Sequence, residues 1–255
     1  GDGIIPCGRA VDTATHPEFQ RRGIFRRLTL EGIDAAQAAG IRLIFNTPND
    51  RSRPGYLKMG WQQVAPVRVQ VRPKPFNAFG RRGDEEPDPD HVAPGGSAVD
   101  VESLPGSGGA VVGRVGDVGG KERPGDLSTE RTPEYLTWRY ATHPTVRYRS
   151  FVGGDGAVIV RPHNRNGRWE LVVSDALGSD PSGALRNAIR RTRAAYAIAS
   201  FPTGSPARRA TRRAGMVTVP TVTAMTLVAR PLDVLDVDVL EADRWRLALG
   251  DLELL

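Results

Sequence analysis

The stretch from residue 10 to residue 61 limits what this chain can become more than any other. A strand-like run, Ile4 to Thr15, leads into it and turns through His16-Pro17-Glu18-Phe19-Gln20-Arg21-Arg22-Gly23. A helix follows: Ile24, Phe25, Leu28, Ile33, Ala36 and Ala39 recur at spacings near three and four, with Arg26, Arg27, Glu31 and Asp34 largely off that stripe. Gly40 suits the position just past a helix end, and Ile41 to Phe45 reads as a second, buried strand. After Asn46-Thr47-Pro48-Asn49 comes a short helix ending in Tyr56-Leu57-Lys58-Met59-Gly60-Trp61. Strand, basic Gly turn, helix, strand is a βαβ unit, and its turn lies where a phosphate would sit. The first N–H groups of a helix have no intrahelical partner, the helix dipole adds about half a positive charge there, and a Gly lets a ligand approach the backbone.

These residues carry a resemblance. Thr15-His16-Pro17-Glu18-Phe19-Gln20-Arg21-Arg22-Gly23-Ile24-Phe25 resembles the acetyl-CoA loop of the GNAT N-acetyltransferases, whose core is Arg/Gln-x-x-Gly-x-Gly/Ala. Asn49-x-x-Ser52-x-x-x-Tyr56-x-x-x-Gly60-Trp61 resembles that family's next motif, Asn-x-x-Ala-x-x-x-Tyr-x-x-x-Gly-Phe. Phe25 stands where the family usually has Gly or Ala, which crowds the first helical turn. The resemblance implies that Ala14, Thr15, Gln20, Arg21, Arg22, Gly23, Ile24, Phe25 and Asn49 bind acetyl-CoA. In the family the strand before the loop, here Ala10 to Thr15, is splayed from its neighbour. A backbone N–H near Ala14 or Thr15 would then polarise the thioester carbonyl. It implies Tyr56 as the general acid that protonates the departing thiolate. The alternative for Tyr56 is a half-buried ring packing the short helix, and Asn49 is equally an ordinary turn-forming Asn.

The later half echoes the earlier one. Thr132-Pro133-Glu134 opens a helix through Tyr140 with an N-cap, a Pro at N1 and an acid in the first turn. A β meander follows over Tyr148 to Val152, Ala157 to Arg161 and Trp169 to Ser174, with turns at Gly153-Gly154-Asp155-Gly156 and Asn164-Arg165-Asn166-Gly167. Ser182 to Ala195 reads as helix and Tyr196 to Phe201 as strand. Arg208 to Met216 parallels Tyr56 to Trp61, with Gly215 on Gly60; Val217 to Arg230 alternates and stops at Pro231, as Gln62 to Arg72 stops at Pro73. This reads as two GNAT-like units. The second has lost the chemistry: Thr211 stands in place of Tyr56, and the turn Gly178-Ser179-Asp180-Pro181-Ser182-Gly183 carries an acid and no Arg.

The expected class is α/β: tandem GNAT-like mixed sheets flanked by helices, the first unit incomplete at its N-terminus. Residues 1–75 form the acetyl-CoA-binding part, 76–131 a flexible linker rich in Gly, Pro and acid, and 132–255 the degenerate unit. Ala110 to Val115 is a candidate short strand inside the linker. The tail from Asp236 contains Trp245 to Leu249 as a last strand or helical turn. Gly1 is not a natural start, so the chain reads as a piece of a longer one.

Composition narrows the function. Cys7 is the only cysteine, which excludes an intrachain disulfide and a Cys-based zinc cluster and leaves Cys7 as a small strand residue. No apolar run approaches the ~20 residues of a membrane helix, and a cytoplasmic location is expected. The net charge of +6 comes almost wholly from Arg, since Lys stands only at positions 58, 74 and 121. No aromatics interleave the basic runs, so a nucleic-acid partner is not expected. A polyanionic cosubstrate is a sufficient use for the charge. His16, Glu18, Asp12 and Asp50 are base candidates by type alone; His91, His143 and His163 have no metal-ligand spacing. The expectation is N-acetyl transfer from acetyl-CoA to a primary amine, on a small molecule or sugar, in a ternary complex. The rival readings are a non-catalytic acyl-CoA-binding scaffold and a nucleic-acid-binding module.

Overall fold

The computed structural model of the protein describes residues 3–11, 13–73, 96–101, 104, 125–219 and 225–252. Two mixed sheets with helices on their faces make the fold, as the α/β reading expects. The first sheet runs β1 (Cys7–Arg9), β2 (Leu43–Asn46), β11 (Thr226–Pro231), β3 (Gln62–Pro66). The second runs β10 (Val217–Val219), β4 (Val69–Pro73), β9 (Tyr196–Ala199), β8 (Arg168–Gly178), β7 (Gly156–Arg165), β6 (Arg149–Val152), β5 (Ser97–Ala98).

One pairing pattern occurs in both. β1 and β2 are parallel, with β11 antiparallel between β2 and β3. Likewise β8 and β9 are parallel, with β4 antiparallel between β9 and β10. Each sheet therefore takes a central strand from the other end of the chain. The boundary expected near residue 75 does not separate the sheets, because β4 and β11 cross over. The long strand expected over Gln62 to Arg72 accordingly breaks at Val67-Arg68, where the Val67 N–H bonds the Met225 carbonyl and the Arg68 carbonyl accepts from Ser200 Oγ. The strand expected over Val217 to Arg230 likewise divides into β10 and β11.

Helix α1 (Ile24–Ala38) and α2 (Arg53–Lys58) belong to the first sheet. The helix that opens at Thr132 is α3 (Pro133–Leu136), its Thr132 side chain capping the Tyr135 N–H, and it widens into a π turn over Thr137–Ala141. Helix α4 (Ser182–Arg191) ends four residues sooner than its periodicity suggests, because buried Thr192 is extended and turns the chain toward β9. Helix α5 (Pro206–Arg213) is capped by Ser205. The meander strands β7 and β8 are longer than their apolar runs, since Asn164 and Arg165 pair across to Trp169 and Arg168.

One apolar cluster joins the sheets: Leu43 and Phe45 of β2, Leu227 of β11, Val69 of β4, Val172 of β8 and Ile198 of β9. A buried ion cluster then pins the last helix, α6 (Leu249–Leu252), which takes the place of a final strand. Arg131 Nε lies 3.1 Å from Asp175 Oδ2 and Nη2 lies 2.6 Å from Asp251 Oδ2, all three side chains being almost wholly buried. Tyr140 donates its hydroxyl to Asp175, and Asp251 accepts the Ala248 N–H. Within the expected linker, the described parts are packed: Ser97–Ala98 pairs with β6, Val99 and Leu104 are buried, and Arg131 is 1% exposed. The candidate strand at 110–115 lies outside the described residues.

Candidate functional site

The site begins where β1 leaves β2. Their parallel pairing runs from Cys7↔Leu43 to Arg9↔Phe45 and ends with the Ala10 N–H on the Phe45 carbonyl at 3.3 Å. The strand expected as far as Thr15 thus stops at Arg9. Beyond it, residues 13–15 make no ladder, and the N–H groups of Ala14 and Thr15 have no acceptor among the described residues. Parted strands at the carboxyl end of a sheet form a crevice where ligands of α/β proteins bind.

The turn after it is shaped by two left-handed residues, Arg21 (φ 63°) and Gly23 (φ 72°). Before them a 3-10 turn, Pro17–Phe19, takes up the Phe19 and Gln20 N–H groups through the His16 and Pro17 carbonyls. Gln20 Nε2 donates to the Thr15 carbonyl at 3.1 Å and ties the turn to the parted segment. After that, the N–H groups of Arg21, Arg22, Gly23, Ile24, Phe25 and Arg26 have no acceptor among the described residues, and the first bond of the helix is Arg27 to Gly23. Left-handed residues in a tight turn fold successive N–H groups into an anion-binding concavity. Among the described residues no carboxylate pairs with Arg21, Arg22 or Arg26; Arg22 lies over the Phe19 ring at 5.1 Å. A non-Gly residue held at positive φ marks strain that the surroundings must sustain, which is a common signature of a functional turn.

Tyr56 sits on α2, 3% exposed, with its hydroxyl 3.2 Å from Thr13 Oγ1 on the parted segment. Its ring meets Phe25 edge-on at 5.3 Å and Trp61 at 5.0 Å. Phe25 therefore does not crowd the turn. Its side chain packs inward over Gly55, where an added Cβ would lie 2.7 Å from Cε1, and braces Tyr56. Only its N–H belongs to the turn. Asn49 starts α2: its side-chain oxygen accepts from the Arg51 and Ser52 N–H groups, both at 3.0 Å. That is the turn-forming role its residue type also suggests.

Among the described residues none of the base candidates is bonded to Tyr56. His16 Nδ1 accepts the Glu18 N–H, and Asp50 pairs with Arg53 at 2.9 Å. Asp12 and His91 lie outside the described residues. His163 is held by Glu170 at 2.6 Å, and among the described residues no three His, Cys, Asp or Glu side chains group as a metal site. Cys7 is on β1 as expected, though exposed.

Sequence reasoning missed Thr13, Asn46 and the last helix. Asn46, at the end of β2, is 3% exposed and its side-chain oxygen has no partner among the described residues. The Leu252 carbonyl accepts from Arg9 Nη2 on β1 and from Thr47 Oγ1 just after β2. The residues close this end of the sheet from 200 positions away, a distance at which pattern in the sequence carries no signal.

The matching turn of the second sheet is shut. Asp180 accepts the Ser182 N–H with Oδ1 and pairs with Arg213 through Oδ2 at 3.0 Å. Gly156 packs so tightly on Pro181 that a Cβ would lie 2.5 Å from its Cα. Thr211 is buried and bonds back to the Arg208 carbonyl.

Residues 1–64 match the family model of the acetyltransferase (GNAT) domain. No curated protein matches the chain in sequence. Among solved structures, a candidate acetyltransferase from Pyrococcus horikoshii shares 14% identity over 98% of this chain and 72% of its own, with a TM-score of 0.50. A GCN5-related N-acetyltransferase from Kribbella flavida shares 13% identity over 90% of this chain and 53% of its own, with a TM-score of 0.49. Another from Anabaena variabilis shares 12% over 85% of this chain and 53% of its own, at 0.48. The chain thus spans about half the length of the Kribbella flavida and Anabaena variabilis structures. Among the described residues no helix is long and apolar enough to cross a membrane. Residues 1–64 thus carry the match to the GNAT domain, within a fold of two mixed sheets flanked by helices.

Proposed function

We propose that this protein transfers an acetyl group from acetyl-CoA to a primary amine, directly, in a ternary complex. The observation that carries the reading is the run of amides from Arg21 to Arg26 that have no acceptor among the described residues, at the start of α1 and beside the parted segment. These amides, with Arg21 and Arg22, suit the pyrophosphate of CoA. The pantetheine then lies along residues 10–15, where the Ala14 or Thr15 N–H polarises the thioester carbonyl. The amine nitrogen attacks that carbon, the carbon–sulfur bond breaks, and Tyr56 gives its hydroxyl proton to the departing thiolate; the nitrogen releases its extra proton to solvent, and the Tyr56 phenolate takes one back from solvent. Thr13 holds the hydroxyl in position. The acceptor is a small-molecule or sugar amine, and the setting is cytoplasmic. The repeated strand order supports an origin in two GNAT-like units, of which the first keeps the site.

Release of free thiol from acetyl-CoA in the presence of a panel of amines tests the reading. Tyr56→Phe keeps the packing against Phe25 and Trp61 and should lower kcat by roughly 100-fold with little change in KM for acetyl-CoA. Unchanged turnover removes Tyr56 as the acid. CoA binding by calorimetry with no thiol release from the parent protein favours the scaffold reading instead.

A further inference from the structure

Arg72 and Arg230 hold matching places in the two sheets but have different surroundings. Arg230, on β11, lies beside Gly60, stacks over Trp61 at 5.4 Å and donates Nη1 to the Met59 carbonyl at the end of α2. Arg72, on β4, lies beside Gly215 in the same way, its Nε 3.8 Å from where a Cβ would stand. Here the next residue is Met216 instead of a Trp, and Arg72 has neither hydrogen bond nor ion pair among the described residues. It lines a cleft of about 420 Å³ with Gly183, Arg186 and Arg190 of α4.

The α4 residues fall at positions i, i+3 and i+7, so they share one helix face. Arg186 and Arg190 are one turn apart, exposed, and without a carboxylate partner among the described residues. Like charges at that spacing work against the helix unless something neutralises them. The acid at the head of the same helix, Asp180, is already taken by Arg213 and the Ser182 N–H. Three guanidinium groups thus face one cleft, with no acid among the described residues that line it. Its volume is within the ~300–1,000 Å³ of small-molecule sites. Guanidinium forks fit phosphate and carboxylate oxygens two at a time.

We propose that the cleft between β4 and α4 binds a small polyanion, a phosphate ester or diphosphate group, at a site distinct from the turn before α1. The pseudo-equivalent turn of the second sheet is shut, so this would not be a second copy of the first site. It would be a different one, made available because Arg72 lacks the partners that occupy Arg230.

Calorimetric titration with inorganic pyrophosphate at low salt tests this, using the whole chain in three forms: parent, Arg21→Ala/Arg22→Ala, and Arg186→Ala/Arg190→Ala. The last pair is exposed, and an unchanged circular dichroism spectrum checks its fold. The expected result is a saturable site that survives in the first variant and weakens at least tenfold in the second. Arg72→Gln should weaken it as well. Binding lost with Arg21 and Arg22 but kept without Arg186 and Arg190 overturns the proposal, as does the absence of saturable binding. Salt-sensitive binding of duplex DNA that pyrophosphate does not displace would also overturn it, by making the patch a nucleic-acid surface.

Discussion

Replacing Arg131 with Met tests what holds the last helix in place. The guanidinium is 1% exposed and lies between two carboxylates, Asp175 and Asp251, that are 0% and 2% exposed. Met keeps most of the volume and removes the charge. It leaves Asp175 with the Tyr140 hydroxyl and the Ala176 N–H, and Asp251 with the Ala248 N–H. Removing one partner from a buried ion pair costs about 3–5 kcal/mol, since the remaining charge stays desolvated. At about 2–4 °C per kcal/mol for a chain of this size, the midpoint should fall by about 10 °C at pH 7. The pH dependence fixes the cause. Burial already pushes the Asp175 carboxyl above its usual range, with Arg131 opposing. A group whose folded pKa is raised contributes stability below its unfolded pKa and loses it as pH rises through the folded value. Without Arg131 that rise is larger, so the deficit of the variant should shrink between pH 7 and pH 5 as a carboxyl takes up a proton. Adding Asp175→Asn and Asp251→Asn should recover part of the loss. A midpoint within 2 °C of the parent at pH 7, or a deficit independent of pH, would refute the reasoning.

Glu170 should give the opposite sign. Burial alone would raise its pKa, but hydrogen bonds from His163, Arg165 and Tyr196 bring it down to about 2. It therefore contributes about 2–3 kcal/mol above pH 4.5, after a discount for screening at half-exposed Arg165, and loses it as pH falls toward 2; urea midpoints of Glu170→Gln should be flatter across that window. Gly23→Ala places a side chain at φ 72° in open space, so only backbone strain of about 1–2 kcal/mol opposes it. CoA affinity should drop at least fivefold by calorimetry, and an equal affinity would argue against the amide cradle. A chain ending at residue 73 lacks β11 and leaves the inner edges of β2 and β3 unpaired, so it should aggregate or stay unfolded; a folded monomer by gel filtration and circular dichroism would contradict the exchange of strands.

What the sequence made legible is what is local. The turn at His16 to Gly23, the helix ends at Gly40 and Thr132, and the helix bearing Tyr56 all follow from residue types within a few positions of each other. The residue types also left Asn49 open between a ligand contact and a turn, and its three bonds to Arg51 and Ser52 show the turn half of that reading. Phe25 was legible as apolar but not as inward-facing, because Gly55, which receives its ring, lies thirty residues away. The breaks in the two long strands were illegible for the same reason. Alternation sets which face a residue takes and says nothing about which sheet the strand joins. Val64 and Val69 read as one run, yet a crossing at Val67 sends them to different sheets.

That crossing bears directly on the candidate site. Residues 1–64 hold the turn, the parted segment and Tyr56, yet they do not complete their own sheet. β11 fills the gap between β2 and β3, and from it Arg230 reaches over Trp61 and fastens the end of α2. Trp61 in turn packs on Tyr56, so the orientation of the proposed acid is set partly by residue 230. The last helix acts on the other side: the Leu252 carbonyl joins Arg9 on β1 to Thr47 after β2, at the end of the sheet where those strands part. That helix is itself held by Arg131, which also pairs with Asp175 on β8 of the second sheet. A loss of packing in the second sheet therefore reaches the first through two separate routes, β11 and α6. A sheet whose own matching turn is shut still has a physical role in positioning the turn that is open.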